Sequence, residues 1–368
     1  MIVALAPFIV LAHQFDMADP VRPLESASAL NPGFYTDKEV YDFELRNILA
    51  PGWQAIAPAS ALSGTGDVIK REVGGIPIVV VRASDAKLNG FLNICPHRAG
   101  PIATCDGRGL KRLRCGYHGW SYDFEGQLKV APQMEDAQGF DYNEIKLTRI
   151  DVREWNGLIM ARVGDGPSFD AVYGGIDEIC GPDAFKDLKH HSSIVYDVKA
   201  NWKVYVDNYL EGYHLPFVHP GLTQVVDYGD YKSQLGEYWS LQRSPVDDLG
   251  PYAAGIGLYF FIHPNTMLNI MPGRLQTNRV VPTGLDSCVV EFDFYYAPGA
   301  ESRAETDFKF SDEVQEEDRT ICEHVQKGLT SGAYKPGRLS PAMEAGVWHW
   351  QNIMREAYQA GGFLDAKD

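Results

Sequence analysis

The apolar positions of the chain fall into two textures. Residues 36–49 open on polar side chains and continue with apolar ones at helical spacing, which predicts an amphipathic helix stopped by Pro51-Gly52. From Trp53 the repeat shortens. Residues 76–81 and 91–94 are compact apolar runs set off by Gly74-Gly75 and Asn89-Gly90, the second pair being a hairpin signal. The texture persists through residues 157–160 to about Val163 and predicts a small antiparallel β domain. Beyond Pro167 strands and helices mix. Residues 192–198 and 287–296 alternate as half-buried strands do, while 257–262 and 266–270 are shorter apolar runs. Residues 311–329 start at a serine and carry Gly328 near their end, which predicts a helix with Val314, Ile321, Val325 and Leu329 as its apolar stripe. Residues 341–358 predict a second helix. The expected class is α+β.

Composition narrows this picture. A chain of 368 residues with 45% hydrophobic and 22% charged side chains is globular and long enough for about two domains of ~100–200 residues. Lys and Arg total 33 against 49 Asp and Glu, a net charge of −16. That balance excludes nucleic acid as a general partner and an anionic membrane surface. Residues 2–12 are apolar but lack a positive flank, and they fall short of the ~20 residues that span a bilayer. They read as a loose extra segment, with Met17 as a natural second start. Six cysteines do not make a disulfide framework here. Cys105, Cys180, Cys288 and Cys322 have no partner at motif spacing and read as reduced thiols, which implies a cytoplasmic location.

Two stretches carry chemistry. Cys95-Pro-His97-Arg98 and Cys115-Gly-Tyr-His118-Gly-Trp120 each offer one thiolate and one imidazole on a tight loop. Such mixed donors suit zinc or an iron–sulfur cluster. Zinc modules usually pair Cys with Cys and His with His, whereas Cys-x-His with Cys-x-x-His suits a Rieske [2Fe–2S] centre. The second stretch, residues 201–219, holds Asp207, Glu211, His214 and His219 among aromatics. Glu211 and His214 are three apart and on a helix would share a face. His219 follows Pro216 and need not obey the helical repeat. Two imidazoles with an open third position suit a non-haem iron triad completed by a carboxylate from elsewhere.

The first motif, continued through residues 118–128, resembles the Rieske domain of the Rieske non-haem iron oxygenases, large (alpha) subunit. Asn201-Trp-Lys, Asp-Asn-Tyr-Leu-Glu-Gly-Tyr-His and His219 resemble the catalytic-domain signature of the same family. The likeness runs from about Asn31 to the region of Trp348 and Trp350. It implies a Rieske domain over residues 52–165 and a helix-grip catalytic domain over 166–368, an antiparallel sheet wrapped by helices. Residues 20–51 would pack on that catalytic domain, after a loose segment 1–19.

The resemblance also implies the cofactors. Cys95, His97, Cys115 and His118 would hold the [2Fe–2S] cluster. His214, His219 and a carboxylate from a C-terminal helix would hold mononuclear Fe(II); Asp318 matches that place, with Glu317 and Asp312 as weaker candidates. O₂ and a small organic substrate would meet there, with electrons from a flavin/ferredoxin reductase fed by NADH or NADPH. The implied assembly is a homotrimer in which the cluster of one subunit faces the iron of its neighbour. Glu211 would then bridge His118 and His214, and Asp207 would support it.

Glu211 is a departure, because ring-hydroxylating dioxygenases usually carry aspartate there. Glutamate resembles the branch acting on quaternary ammonium compounds such as choline, carnitine, glycine betaine and stachydrine, by monooxygenation or N-demethylation. Tyr205, Tyr209, Tyr213, Phe217, Tyr238, Trp239 and Phe261 are available for a cation–π cage. Other readings stay open: a dioxygenase or demethylase of an aromatic acid, a Rieske electron carrier without oxygenase activity, or a zinc protein.

Overall fold

The structure, a computed structural model of the chain, describes residues 19–83, 87–181, 184–222, 231–246 and 253–364. The apolar segment 2–12 lies outside the described residues. The chain divides into two compact units, one formed by Leu49–Gly166 and the other by the chain up to Ile48 together with Pro167 onward. No helix among the described residues is long and apolar enough to cross a membrane.

The first unit is antiparallel β. Its strands are β1 (Gln54–Pro58), β2 (Val68–Val73), β3 (Ile76–Arg82), β4 (Leu88–Leu92), β5 (Leu113–Arg114), β6 (Ser121–Tyr122), β7 (Leu128–Val130), β8 (Arg149–Trp155) and β9 (Leu158–Arg162). Six of them form one sheet in the order β1-β9-β8-β4-β3-β2, and β5-β6-β7 form a second. The unbroken apolar run of β3 has a simple cause: both of its faces are covered. Ile78 and Val80 pack with Ile56, Ile69 and Ile159, whereas Val79 and Val81 pack with Phe91, Cys95 and Cys115. Gly74 and Gly75 close the β2–β3 hairpin, with Val73 opposite Ile76 and φ of 57° and 74° at the two turn residues. Only glycine adopts that pair of left-handed angles without strain. Asn89-Gly90 is not a turn but the interior of β4. Gly90 stands there because a Cβ would come within 2.4 Å of Val152 and 2.7 Å of Ile150.

The second unit begins with two short helices, α1 (Gly33–Thr36) and α2 (Lys38–Glu44), followed by a widened turn at Leu45–Leu49. The single helix expected over 36–49 is divided because Asp37 leaves helical geometry to cap α2, accepting from the backbone N–H of Glu39 and Val40. Then come α3 (Phe169–Cys180), β10 (Lys189–Val198), α4 (Trp202–Tyr209) and α5 (Leu215–Val218). The strands β11 (Lys232–Leu235), β12 (Trp239–Val246), β13 (Gly255–Ile262), β14 (Thr266–Met271), β15 (Arg274–Gly284) and β16 (Ser287–Tyr296) follow. Helices α6 (Ala304–Thr330) and α7 (Ala345–Ala360) end the fold. The seven strands form one antiparallel sheet, β10-β16-β15-β14-β13-β12-β11.

Buried polar contacts tie the N-terminal helices to this unit. Lys203 and Glu44 form an ion pair at 2.7 Å in which neither side chain is exposed. Glu44 also accepts from Trp202 Nε1 at 2.8 Å and from the Tyr358 hydroxyl at 2.5 Å. Helix α6 is longer than the sequence pattern suggested, and it buries another face. Ser311 is interior, and Asp307, Ser311, Gln315, Cys322 and Gln326 are the inward residues, while Val325 is 44% exposed. A mostly polar inward face is unusual for a helix, and it has a partner: the polar face of β15.

Candidate functional site

The two Cys/His loops sit at the ends of short strands in the first unit. Cys95 follows β4, and its loop is held by Asn93, whose Oδ1 accepts from Ile102 N and Ala103 N at 2.8 Å each. Cys115 begins the β5–β6 turn, where its N–H donates to Trp120 O at 2.9 Å and its carbonyl accepts from Gly119 N at 3.1 Å. Both cysteines are buried, at 2% exposure, while His97 and His118 are half-buried with ring centroids 4.6 Å apart. Trp120 stacks on His97 at 4.4 Å, and Tyr117 stacks on His118 at 3.7 Å. Burial raises the Cys95 thiol pKa, and the neighbouring Cys115 adds to the rise. The Tyr122 hydroxyl lies 3.0 Å from Cys95 Sγ; burial and that sulfur hold its proton on and keep it a donor. Two inner sulfurs and two outer imidazoles fit the donor set of a Rieske cluster.

In the second unit the chain leaves α4 at Tyr209, so Glu211 lies in a turn and not on a helix with His214. The contact between them is made all the same. Glu211 Oε1 meets His214 Nδ1 at 2.6 Å, and its Oε2 accepts from the backbone N–H of Tyr213 and His214. Pro216 sits in the first turn of the short α5, which His214 and His219 flank as its N-cap and C-cap. Helix α6 then supplies two acids. Glu317 Oε2 is 2.7 Å from His219 Nδ1, and Asp318 Oδ1 is 3.0 Å from His219 Nε2 and 3.8 Å from His214 Nε2. Asn208 donates to the same Asp318 oxygen at 2.6 Å.

Donor atoms of His214, His219 and Asp318 all lie within 4.8 Å of one another, which suits a single metal ion. Each Nδ1 faces a carboxylate, so each Nε2 is the nitrogen left for a metal; that is how ligating histidines are usually oriented. Burial lowers the His219 pKa, but Asp318 and Glu317 reverse this and leave it raised. The cluster therefore favours a positive charge at its centre. Two imidazoles and one carboxylate fit non-haem iron.

These donors open into a cavity of about 130 Å³. An apolar cavity of ~150 Å³ holds a benzene molecule, so the space suits a small organic molecule. Its walls are mixed. Tyr205, Tyr209, Tyr231, Tyr259, Phe292 and Phe310 supply rings, and Gln242, Asn269, Arg274, Gln276, Asn278 and Gln315 supply polar groups. Seven of these twelve come from one face of the sheet. Gln276, Asn269, Tyr259 and Gln242 are directly opposed from strand to strand, as are Asn278 and Phe292.

Residues 52–146 match the Rieske [2Fe-2S] domain, and residues 185–246 and 236–360 match the ring hydroxylating alpha subunit (catalytic domain). Choline monooxygenase, chloroplastic, from Arabidopsis thaliana is 33% identical over 351 residues, covering 88% of this chain and 81% of the relative. The chain is a Rieske oxygenase alpha subunit. This oxygenase is also 29% identical over 378 residues to the carnitine monooxygenase oxygenase subunit of Escherichia coli (strain K12), covering 96% of this chain and 99% of that one. A crystal structure of a quaternary ammonium Rieske monooxygenase in complex with its substrate L-carnitine is 27% identical, with a TM-score of 0.79, covering 90% of this chain and 96% of the other. Naphthalene 1,2-dioxygenase from Rhodococcus sp., at 16% identity and a TM-score of 0.74, shares the fold. As a member of the choline and carnitine monooxygenase branch, the oxygenase carries a Rieske [2Fe–2S] cluster and a mononuclear iron, and it uses O₂, a substrate and a reductase partner.

Within the oxygenase, the aromatics singled out in the sequence divide. Tyr205 and Tyr209 line the cavity. Tyr213 and Phe217 do not; they are 48% and 80% exposed. Trp239 is buried on the opposite face of the sheet, packed on Phe260 and against Gly175 of α3, because adjacent strand residues point to opposite sides. Phe261 packs on Trp350, and Tyr238 lies against His263. Asp207 is half-buried between α1 and α7, accepting from the Tyr35 hydroxyl at 2.5 Å and from Gln351 at 2.9 Å. Asp312 accepts from Tyr196 at 3.1 Å, away from the triad. The residues the sequence did not reveal are Tyr231, Tyr259, Phe292, Phe310 and the polar row of β15. In β15 polar residues run unbroken from Gln276 to Arg279, and burial on both faces leaves none of the alternation that marks a strand.

Proposed function

We propose that this Rieske oxygenase oxidises a small quaternary ammonium compound at a C–H bond beside the cationic nitrogen. The observation that carries this reading is the cavity beside His214, His219 and Asp318: small, and walled by Tyr209, Tyr231, Tyr259, Phe292 and Phe310. Aromatic faces attract a desolvated quaternary ammonium by ~2 kcal/mol or more. The charges at the cavity suit a cation as well. Arg274 is its one cationic lining residue among those described, and Asp307 neutralises it by an ion pair. The likeness to choline and carnitine monooxygenases supports the same substrate class.

In this reading His214, His219 and Asp318 hold the mononuclear iron, and Cys95, Cys115, His97 and His118 hold the cluster. When bound, the cluster supplies electrons one at a time and the iron supplies the site of O₂ activation. Glu211 and Glu317 fix the tautomers of His214 and His219 by accepting from Nδ1. Asn208 holds Asp318 by a hydrogen bond, leaving its other oxygen available. The aromatic walls exclude water and orient the cationic head. In a homotrimer, Glu211 would bridge His214 to His118 of the neighbouring subunit, and a flavin/ferredoxin reductase using NADH or NADPH would recharge the cluster. Four cysteines outside the cluster loops are unpaired, which supports a reducing, cytoplasmic setting.

Substrate-stimulated O₂ uptake by the holoprotein with a reductase tests the substrate class. Choline, glycine betaine and carnitine are expected to stimulate uptake, and aromatic acids are not; the reverse pattern would overturn the proposal. The bridge has its own test. Glu211→Gln should retain both irons and the Rieske paramagnetic resonance signal while single-turnover oxidation of the reduced cluster slows by a factor on the order of 10²; full turnover would remove Glu211 from the electron path.

A further inference from the structure

Helix α6 and strand β15 face each other with polar side chains, and the order of donors and acceptors between them is fixed by chemistry. Asp307 accepts from Arg274 Nε and, at 2.5 Å, from the Tyr296 hydroxyl; it is fully buried. Arg274 Nη2 donates to Gln276 Oε1 at 2.5 Å and to Ser311 Oγ at 3.4 Å. A guanidinium has donors only, so Gln276 must present its oxygen to Arg274 and its nitrogen onward. Gln276 Nε2 then donates to Asn278 Oδ1 at 2.9 Å. Asn278 is left with its amide nitrogen, which has no hydrogen-bond partner among the described residues although the side chain is 3% exposed and lines the cavity. The relay Asp307–Arg274–Gln276–Asn278 thus ends in an N–H pair at the cavity wall. A second donor stands across from the sheet: Gln315 on α6 accepts from Tyr205 at 2.6 Å, and its Nε2 is buried without a partner.

Gln315 Nε2, buried and unpaired, carries a cost of about 1–3 kcal/mol that a ligand removes by supplying the acceptor, and the Asn278 amide nitrogen stands open to the cavity beside it. An anionic acceptor benefits most, because hydrogen bonds to charged groups are about twice as strong as neutral ones. A net cation would serve a carboxylate too, but it would repel a quaternary ammonium in the same cavity. The relay avoids that conflict: Asp307 cancels the charge of Arg274, and only polarised N–H dipoles reach the substrate. Resting on the proposed quaternary ammonium reading, we infer that Asn278, polarised by the relay and joined by Gln315, is a specificity residue that seats the carboxylate of a zwitterionic substrate. The oxygenase accordingly selects a betaine over the corresponding amino alcohol.

Glycine betaine and choline make a matched pair, equal in cation and differing in carboxylate against alcohol. Calorimetric titration of the holoprotein should show tighter binding of glycine betaine. Asn278→Asp keeps the shape, still accepts from Gln276 and loses both donors. It should weaken glycine betaine at least ~10-fold, which is ~1.4 kcal/mol, while choline, whose cation the new carboxylate attracts, should bind at least as tightly as to the wild type. Gln276→Met breaks the relay but keeps Asn278, and should weaken glycine betaine by a smaller factor. An unchanged visible spectrum of the cluster reports that each variant is folded. Equal losses for both ligands, no loss for glycine betaine, or a wild-type preference for choline would overturn the inference while leaving the quaternary ammonium reading intact. Binding of neither ligand by the wild type would instead remove the reading beneath it.

Discussion

The two metal-binding regions of this oxygenase are built in opposite ways. The cluster loops are local: one Cys/His pair follows β4, the other fills the β5–β6 turn, and both rest on a core that includes the two cysteines themselves. The proposed mononuclear site, His214, His219 and Asp318, is distributed. Its histidines flank α5, its carboxylate comes from α6 about a hundred residues later, and its cavity is completed by β12 to β16. A local site depends on turn geometry. A distributed site depends on the whole unit staying folded, so distant substitutions should reach it.

The largest expected effect tests whether the two sites are separable. Cys115→Ala should abolish the Rieske paramagnetic resonance signal. His214→Ala should keep that signal and lose the mononuclear iron, with turnover lost in both. Loss of both metals in either variant would contradict separate construction. The next effect probes the distributed site through the buried Lys203–Glu44 pair. Lys203→Met leaves Glu44 as an uncompensated buried charge and should destabilise the second unit by about 3–5 kcal/mol. Denaturant unfolding measures this, and the cluster spectrum should persist to the same denaturant concentration as in wild type. Glu317→Gln weakens the hold on His219 Nδ1 without removing a ligand. It should lower iron affinity by roughly 10–100-fold, read by chelator competition, and an unchanged affinity would make Glu317 a surface acid.

The smallest effect concerns pH. Burial pushes Asp207 up to about 6 from the ordinary value of 3.8, even though Tyr35, Gln351, Lys203 and Arg355 hold it down. The folded chain therefore binds this proton more tightly than the unfolded chain does. The stability it contributes is present at acid pH and lost as pH rises through 6. From pH 4.5 to 7, wild type should lose roughly 2 kcal/mol relative to Asp207→Asn. Parallel curves of stability against pH would mean that Asp207 is ionised throughout.

Much of this was legible along the chain, and the pattern of what was not is instructive. The Cys/His loops, His214, His219, the strands β10, β13, β14 and β16 and both long helices stand in the sequence as spacing and periodicity. Asn89-Gly90 misled because glycine serves close packing as readily as turning, and at Gly90 it is Val152 and Ile150 that exclude a side chain. Of the stripe Val314, Ile321, Val325 and Leu329, Val314 lines the cavity and Ile321 and Leu329 are half-buried, whereas Val325 is exposed. The true inward face, Asp307, Ser311 and Gln315, meets the polar wall of β15. Trp239 and Phe261 were in the right segment, but strand parity and the packing of Trp350 kept them from the cavity.

The sequence by itself determined the chemistry of the metals, because ligand type and short-range spacing are properties of a few adjacent residues. It determined the family for the same reason. Tertiary structure alone decided the rest. It placed Asp318 within reach of both imidazoles and Glu317 behind His219, a choice between adjacent acids that only the rotation of α6 makes. It also aligned Arg274, Gln276 and Asn278 into a relay with its donors toward the cavity. Those roles depend on which face each strand and helix turns inward, and that is set by packing partners far away in the chain.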